Sequence, residues 1–296
     1  MGGLVHRTRI VAVAAGVLLT AGLTACGSEK SGGDGDGGGS DRVDSLSPIA
    51  ALQKASDSTD EQKSAAVEGT TTQGTPRGEQ TTTMEGAMDW SGGGMTGEMS
   101  VVQRGGIVAG SPVDGKPTPT RYLEDAYYVN MGDEFASTAG GGAHWIKYDY
   151  DKLAEKLGPA GAFMKDQLQN NNPSRSVDLL LATGEVKKVG TETVRGEQTT
   201  HYRGSFKVAE LARMQSQDLS EADLQALQDQ LETMGMEKET IDLWIDEDDL
   251  LVKKREKADS TSGTDFDSTV YYSDYGTAVT VEAPAESDWV DFTELS

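Results

Sequence analysis

Cys26 is the only cysteine among 296 residues, and Leu23-Thr24-Ala25 stand immediately before it. Small side chains at that junction let a membrane peptidase reach the backbone. The thiol can take a diacylglyceryl group, and cleavage before Cys26 frees an amine for further acylation. Other reactive constellations are sparse. The histidines are His6, His144 and His201. His144 follows Gly140-Gly141-Gly142-Ala143 in an expected loop, and His201 lies in an expected strand, where histidine is more often packed than catalytic. The chain holds no G-x-S-x-G elbow, P-loop or zinc array. Its 49 acidic residues are too many for any pair to mark an acid–base site. The run Asp246 to Asp249 reads as a solvated hairpin tip, because it lacks the spaced ligands and bending glycine of a calcium loop. The chain reads as a non-enzyme, with no catalytic residue, cofactor or metal implied.

The residues before Cys26 give that thiol its context. Arg7 and Arg9 make a positive start, and Ile10 to Leu23 form an apolar run. Such a run is too short to serve as an anchor of about 20 residues. The segment resembles the signal of bacterial lipoproteins, with Leu, Thr, Ala and Cys at the lipobox positions. The resemblance implies a cleaved signal over 1–25 and a lipid on Cys26 that holds the chain on the extracytoplasmic face of the cell membrane. Residues 26–42, with a Gly/Ser/Asp run from Ser31 to Ser40, cannot bury a core and read as a flexible tether. Residues 43–296 form the folding unit. Without residues 1–25, 24 Lys and Arg face 49 Asp and Glu, a net charge of −25. That balance excludes nucleic acid as a partner and a polybasic membrane patch, so the lipid must carry the attachment. A lone cysteine also excludes an intramolecular disulfide.

Ser47-Pro48 is a helix start, with serine as N-cap and proline at the first helical position. Ile49, Leu52 and Ala55 are spaced for one buried face, and the helix should run to about Ser64. From Val67 the period becomes two. Strands are expected from Val67 to Thr72, Thr81 to Trp90 and Met95 to Arg104, then a hairpin over Arg121 to Met131 and a strand at His144 to Tyr148. Helices are expected over Asp151 to Leu157, Ala160 to Gln169 and Val177 to Leu181, with Gly158-Pro159 as a break. Strands resume at Glu185 to Val189, Glu192 to Val194 and Thr199 to Phe206. Gly190 and Gly196 are read as bracketing a hairpin. Ser220 should cap a helix carrying Asp223, Leu224, Leu227, Leu231 and Met234. Closing strands are expected at Thr240 to Asp246, Leu250 to Ala258, Asp265 to Tyr275 and Ala278 to Glu282. Trp244 and Ile245 must take opposite faces of their strand. The fold class is α+β.

Three stretches resemble one family. Val189-Gly190 through His201-Tyr202, Leu243-Trp244-Ile245-Asp246 with Leu250 to Lys254, and Tyr272-Ser273-Asp274-Tyr275-Gly276 with Val279 to Pro284 are similar to actinobacterial lipoproteins of the LppX/LprG type in the LolA-like superfamily. The resemblance implies a strongly curved antiparallel half-barrel wrapped around helices, with an apolar cavity between them that holds a lipid or other amphiphile for carriage or presentation. Candidate lining residues are Leu52, Leu153, Leu157, Phe163, Met164, Leu168, Leu179, Leu180, Leu224, Leu227 and Leu231. Met84, Met88, Met99, Met214 and Met234 could add an adaptable wall. For any one of these side chains, filling a core is the commoner role. A second class therefore stays open, a non-enzymatic sensor or interaction module for a cell-envelope protein. An apolar content of 36% and aromatic content of 6% argue against a very large cavity.

Overall fold

The computed structural model describes residues 47–92, 94–170, 172–207, 221–222, 224–225 and 236–295. The expected signal over 1–25, the expected tether over 26–42 and Cys26 lie outside the described residues. Helix α1 (Pro48–Glu61) begins as its sequence dictates: the Ser47 side chain accepts from the Ala50 N–H and Pro48 opens the first turn. Its buried stripe is Leu52, Ala55, Ser56 and Thr59. Ile49, one turn earlier, is 45% exposed, so the buried face starts a turn later than its apolar spacing implies.

Strands β1 (Ser64–Thr75), β2 (Gly78–Asp89) and β3 (Thr96–Gly105) follow as antiparallel neighbours. Next come β4 (Pro117–Tyr122), β5 (Ala126–Asn130), the short helix α2 (Gly132–Thr138) and β6 (Trp145–Asp149). Sequence periodicity gives no sign of α2. A helical block then comprises α3 (Tyr150–Leu157), α4 (Pro159–Asn170) and α5 (Pro173–Ala182). Gly158 at φ +60 separates α3 from α4, a backbone state that glycine adopts at little cost. Strands β7 (Lys187–Val194), β8 (Glu197–Phe206), β9 (Met236–Ile245), β10 (Leu251–Ser260), β11 (Phe266–Ser273) and β12 (Trp289–Asp291) complete the sheet.

The twelve strands form one curved, unclosed sheet in the order β12-β6-β5-β4-β3-β2-β1-β11-β10-β9-β8-β7. All pairs are antiparallel except β12 on β6. This is the α+β class expected. Two strands expected around Gly190 are one: β7 is continuous, with a register shift between Lys188 and Gly190. The turn belongs to Arg195 (φ +52) and Gly196 (φ +100). Of the expected helix after Ser220, residues 221, 222, 224 and 225 are described and helical; Leu227, Leu231 and Met234 lie outside the described residues.

Period-two alternation gives the sheet two buried faces of different kinds. Leu52 and Ala55 of α1 and Val177, Leu179 and Leu180 of α5 pack on the inner face against Val67, Ile241, Leu243, Leu251, Phe266 and Val270. A second inner cluster sits under β5 and β6, where Tyr127, Ile146 and Tyr148 meet Leu153 of α3. On the outer face, Trp244 joins Val194 and Val252, while Ile245 enters the main core. Both residues are buried, because the chain covers both sides of β9.

No strand forms over Ala278 to Glu282. Both edges of β11 are already taken by β10 and β1, so the departing chain has no ladder to join. It leaves the sheet instead, accepts from Arg121 Nη1 at the Glu282 carbonyl (3.2 Å), and docks as β12 on the far edge. His144 clasps that end: its Nδ1 is 2.6 Å from Asp288 Oδ1 and its Nε2 is 3.4 Å from Asp133. The hydrogen bond to Asp288 raises the His144 pKa above 6.5 despite partial burial. A raised folded pKa stabilises the clasp below 6.5 and loses that contribution as pH climbs through the folded value. Amide-exchange protection of Trp289 to Asp291 should therefore drop several-fold between pH 6 and pH 8.5. His144→Gln should show the lower protection at both values. A pH step that survives in His144→Gln would exclude the clasp as its cause.

Candidate functional site

Between the inner face and helices α4 and α5 lies a cavity of about 170 Å³. A single water needs only about 10–15 Å³. The floor comes from inward positions of β2, β3 and β11, and the roof from Met164 and Leu168 of α4 and Leu179 of α5. Five of the chain's ten methionines line it: Met84, Met88, Met95, Met99 and Met164.

The floor follows from strand register. Gly69 pairs with Met84, Gly86 with Met99, and Gly97 with Met88. At each pair the methionine lies flat over the neighbouring glycine: a β-carbon on Gly69 would stand 2.9 Å from Met84 Cγ, one on Gly86 2.8 Å from Met99 Sδ, and one on Gly97 2.7 Å from Met88 Sδ. Only the missing side chain makes that posture possible. The unbranched thioethers thus carpet the sheet and leave open space above it.

The cavity has a charged margin. Lys254 and Glu256 line it from β10 as a buried ion pair at 3.2 Å, and Arg175 lines it from α5, bound to Asp166 at 2.5 Å. Burial works against the Lys254 ammonium, but Glu256, Tyr272 and Glu239 outweigh it and leave its pKa raised. Glu239, fully buried behind this pair, has no partner for either carboxyl oxygen among the described residues. Burial, reinforced by Glu256 and opposed by Lys254, lifts its pKa well above the ordinary 4.5 and so favours the protonated form.

The candidate lining residues separate into groups. Met164, Leu168 and Leu179 line the cavity, as do Met84, Met88 and Met99. Leu52 and Leu180 are fully buried in the main core, and Leu153 belongs to the second cluster. Leu157 shares a helix face with Leu153 but is the last residue of α3, and it is 48% exposed. Leu224 is half-buried. The side chain of Phe163, together with Leu227, Leu231, Met214 and Met234, lies outside the described residues. Sequence reasoning missed Met95, Trp90, Lys254 and Glu256, whose inward direction depends on register.

His144 and His201, the histidines among the described residues, both make side-chain contacts to carboxylates. His201 stacks on Trp244 at 4.3 Å and its Nε2 is 2.5 Å from Asp242, which Arg203 also reaches at 2.6 Å. Lys253 stands 3.9 Å over the other partner of that ladder, the Trp244 ring. Asp246 closes the acidic turn by accepting from the N–H groups of Asp248 and Leu250, and Asp249 pairs with Lys54. No group of three or more His, Cys, Asp or Glu placed to hold a metal occurs among the described residues. No helix among them is long and apolar enough to cross a membrane.

No protein-family profile matches the chain. Two Streptomyces proteins do. An uncharacterized 31.2 kDa protein from the rplA–rplJ intergenic region of Streptomyces griseus is 44% identical over 259 residues, covering 86% of this chain and 82% of that protein. A Streptomyces coelicolor protein provisionally named a lipoprotein is 36% identical over 313 residues, covering 100% of this chain and 98% of its own length. The chain belongs to the family of these Streptomyces proteins. Among solved structures, LprF of Mycobacterium bovis is similar at a TM-score of 0.48 and 18% identity, covering 80% of this chain and 97% of that one. Lipoprotein LppX of Mycobacterium tuberculosis is similar at 0.47 and 16%, covering 79% and 98%.

Glu239 gives a direct test of the buried charge. Above pH 4.5 the unfolded chain releases a proton that the folded chain keeps, so stability falls as pH rises. Glu239→Gln should remove that slope and raise the unfolding free energy at pH 7.5 by on the order of 1 kcal/mol, with little change at pH 4.5. Denaturant melts at the two pH values would show it; an equal effect at both would refute a protonated Glu239.

Proposed function

We propose that the protein is a membrane-anchored extracytoplasmic lipoprotein that binds an amphiphile in its cavity and carries or presents it, without catalysing a reaction on it. The observation that carries this reading is the methionine carpet. A sheet that needed only a filled core would not set three glycines opposite three methionines and leave space above them. The apolar, adaptable lining suits acyl chains of varied shape. The family relative provisionally named a lipoprotein supports the anchor, as does the lipobox ending at Cys26. In this reading residues 1–25 are removed, Cys26 carries the lipid, residues 26–42 tether the domain and residues 43–296 form it.

Three experiments test the reading. Native mass spectrometry after mild purification should find lipid bound to the folded protein, and Gly69→Ala should weaken uptake of a fluorescent fatty acid roughly tenfold, since the added methyl pushes Met84 into the cavity. The three atoms nearest that methyl all belong to the Met84 side chain, so stability should change by less than about 1 kcal/mol. Absence of bound lipid together with unaltered uptake by Gly69→Ala would defeat the carrier reading. For the anchor, Cys26→Ser should abolish metabolic labelling with palmitate and accumulate unprocessed precursor. Wild-type processing and fractionation of Cys26→Ser would rule the anchor out.

A further inference from the structure

The size of the cavity and the pattern of its floor together limit what it can take. A cavity of about 150 Å³ is enough for one benzene molecule, so the 170 Å³ here holds roughly six or seven carbons of an alkyl chain and no second chain beside them. Strand register fixes where those carbons lie. Met84, Gly69, Val270 and Lys254 stand in one row across β2, β1, β11 and β10, each directly opposite the next. The row is apolar for three strands and ends on a charge. The adjoining row of Thr71, Ser268 and Glu256 is polar throughout, and its two hydroxyls bond each other at 2.9 Å.

Lys254 and Glu256 both line the cavity, so the open space runs from the methionine carpet up to their ion pair. A buried ion pair depends on every polar contact left to it. Hydrocarbon laid across it takes away contact with water and offers no partner in return. The same methylene laid over Met84 or Val270 covers only apolar surface. We propose that the Lys254–Glu256 pair is a specificity-determining stop for a single acyl tail. The tail enters over the methionine carpet and its terminal methyl halts at the pair. Only about its last six or seven carbons are buried, and the rest of the amphiphile stays outside. This inference rests on the amphiphile-binding reading and adds which part of the ligand the site recognises.

The test uses the full chain, freed of bound lipid, with a fluorescent fatty acid displaced at pH 8 by hexanoate, octanoate, decanoate or laurate. Each buried methylene is worth about fourfold in affinity, so octanoate should bind about fifteenfold tighter than hexanoate. From octanoate to laurate the total gain should stay below about threefold, since the added carbons remain outside. Replacing both charges, Lys254→Met with Glu256→Gln, should release the stop and let laurate bind at least about tenfold tighter than octanoate. Lys257→Met, which removes an exposed cation of the same strand, should keep the wild-type plateau. Gly69→Ala adds a methyl within the apolar row and should pull the plateau back towards hexanoate, which tests the limit even if the double variant fails to fold. A gain that continues unchanged through laurate, no displacement at any length, or a plateau that the folded double variant leaves unmoved would overturn this inference and leave the carrier reading standing. Failure of the fluorescent fatty acid itself to bind would overturn both.

Discussion

A twelve-stranded sheet that does not close into a barrel has a concave face that it cannot bury against itself. Everything else in the molecule answers that constraint. Helices α1 and α5 enter the concavity from two distant parts of the chain and meet there, with Leu52, Ala55, Val177 and Leu180 removed from solvent. Ser56 of α1 bonds Asp178 of α5 at 2.5 Å, which fixes the two helices against each other. Helix α4 approaches the sheet less closely, and the remaining gap is the cavity. Its existence therefore follows from how the concavity is filled rather than from a separate device.

The open edges are handled differently. Edge strands invite pairing with other chains unless they are short, charged or covered. At one end β12 is three residues long and runs parallel, backed by the Lys152–Asp291 ion pair at 2.5 Å. At the other, β7 exposes Lys187, Lys188 and Glu192, and the hairpin tip of β7 and β8 folds over the outer face, where Arg195 reaches Glu68 at 2.7 Å and sits 3.9 Å over Tyr271. The outer face is thus a second layer of packing made of aromatic rings and matched charges. It explains how an acidic chain buries Trp244 on the side away from its core.

Local chemistry was legible in the sequence wherever it acts within a few residues. Ser47-Pro48 marked the start of α1, and Thr-rich runs punctuated by glycine marked β1 to β3. The break at Gly158-Pro159 separated α3 from α4. What could not be read depends on partners far along the chain. Gly190 resembled a turn glycine but sits in a ladder, and Ala278 to Glu282 has strand composition but no free edge to join. The cavity was legible as a class of residue and not as a set: Leu157 shares its helical spacing with Leu153 but faces solvent. Trp90 and the Lys254–Glu256 pair became visible only once register placed them on the inner face.

The glycines beneath the methionine carpet differ in what inheritance can do with them. At Gly86 and Gly97 an added methyl would strike the backbone carbonyls of Glu98 and Ala87, so those positions are locked by the sheet itself. At Gly69 the nearest atoms belong to the Met84 side chain rather than to backbone. Any glycine codon becomes an alanine codon by one nucleotide change. The open space above the sheet is therefore adjustable by a single heritable step at one site, while the two neighbouring sites hold the architecture constant.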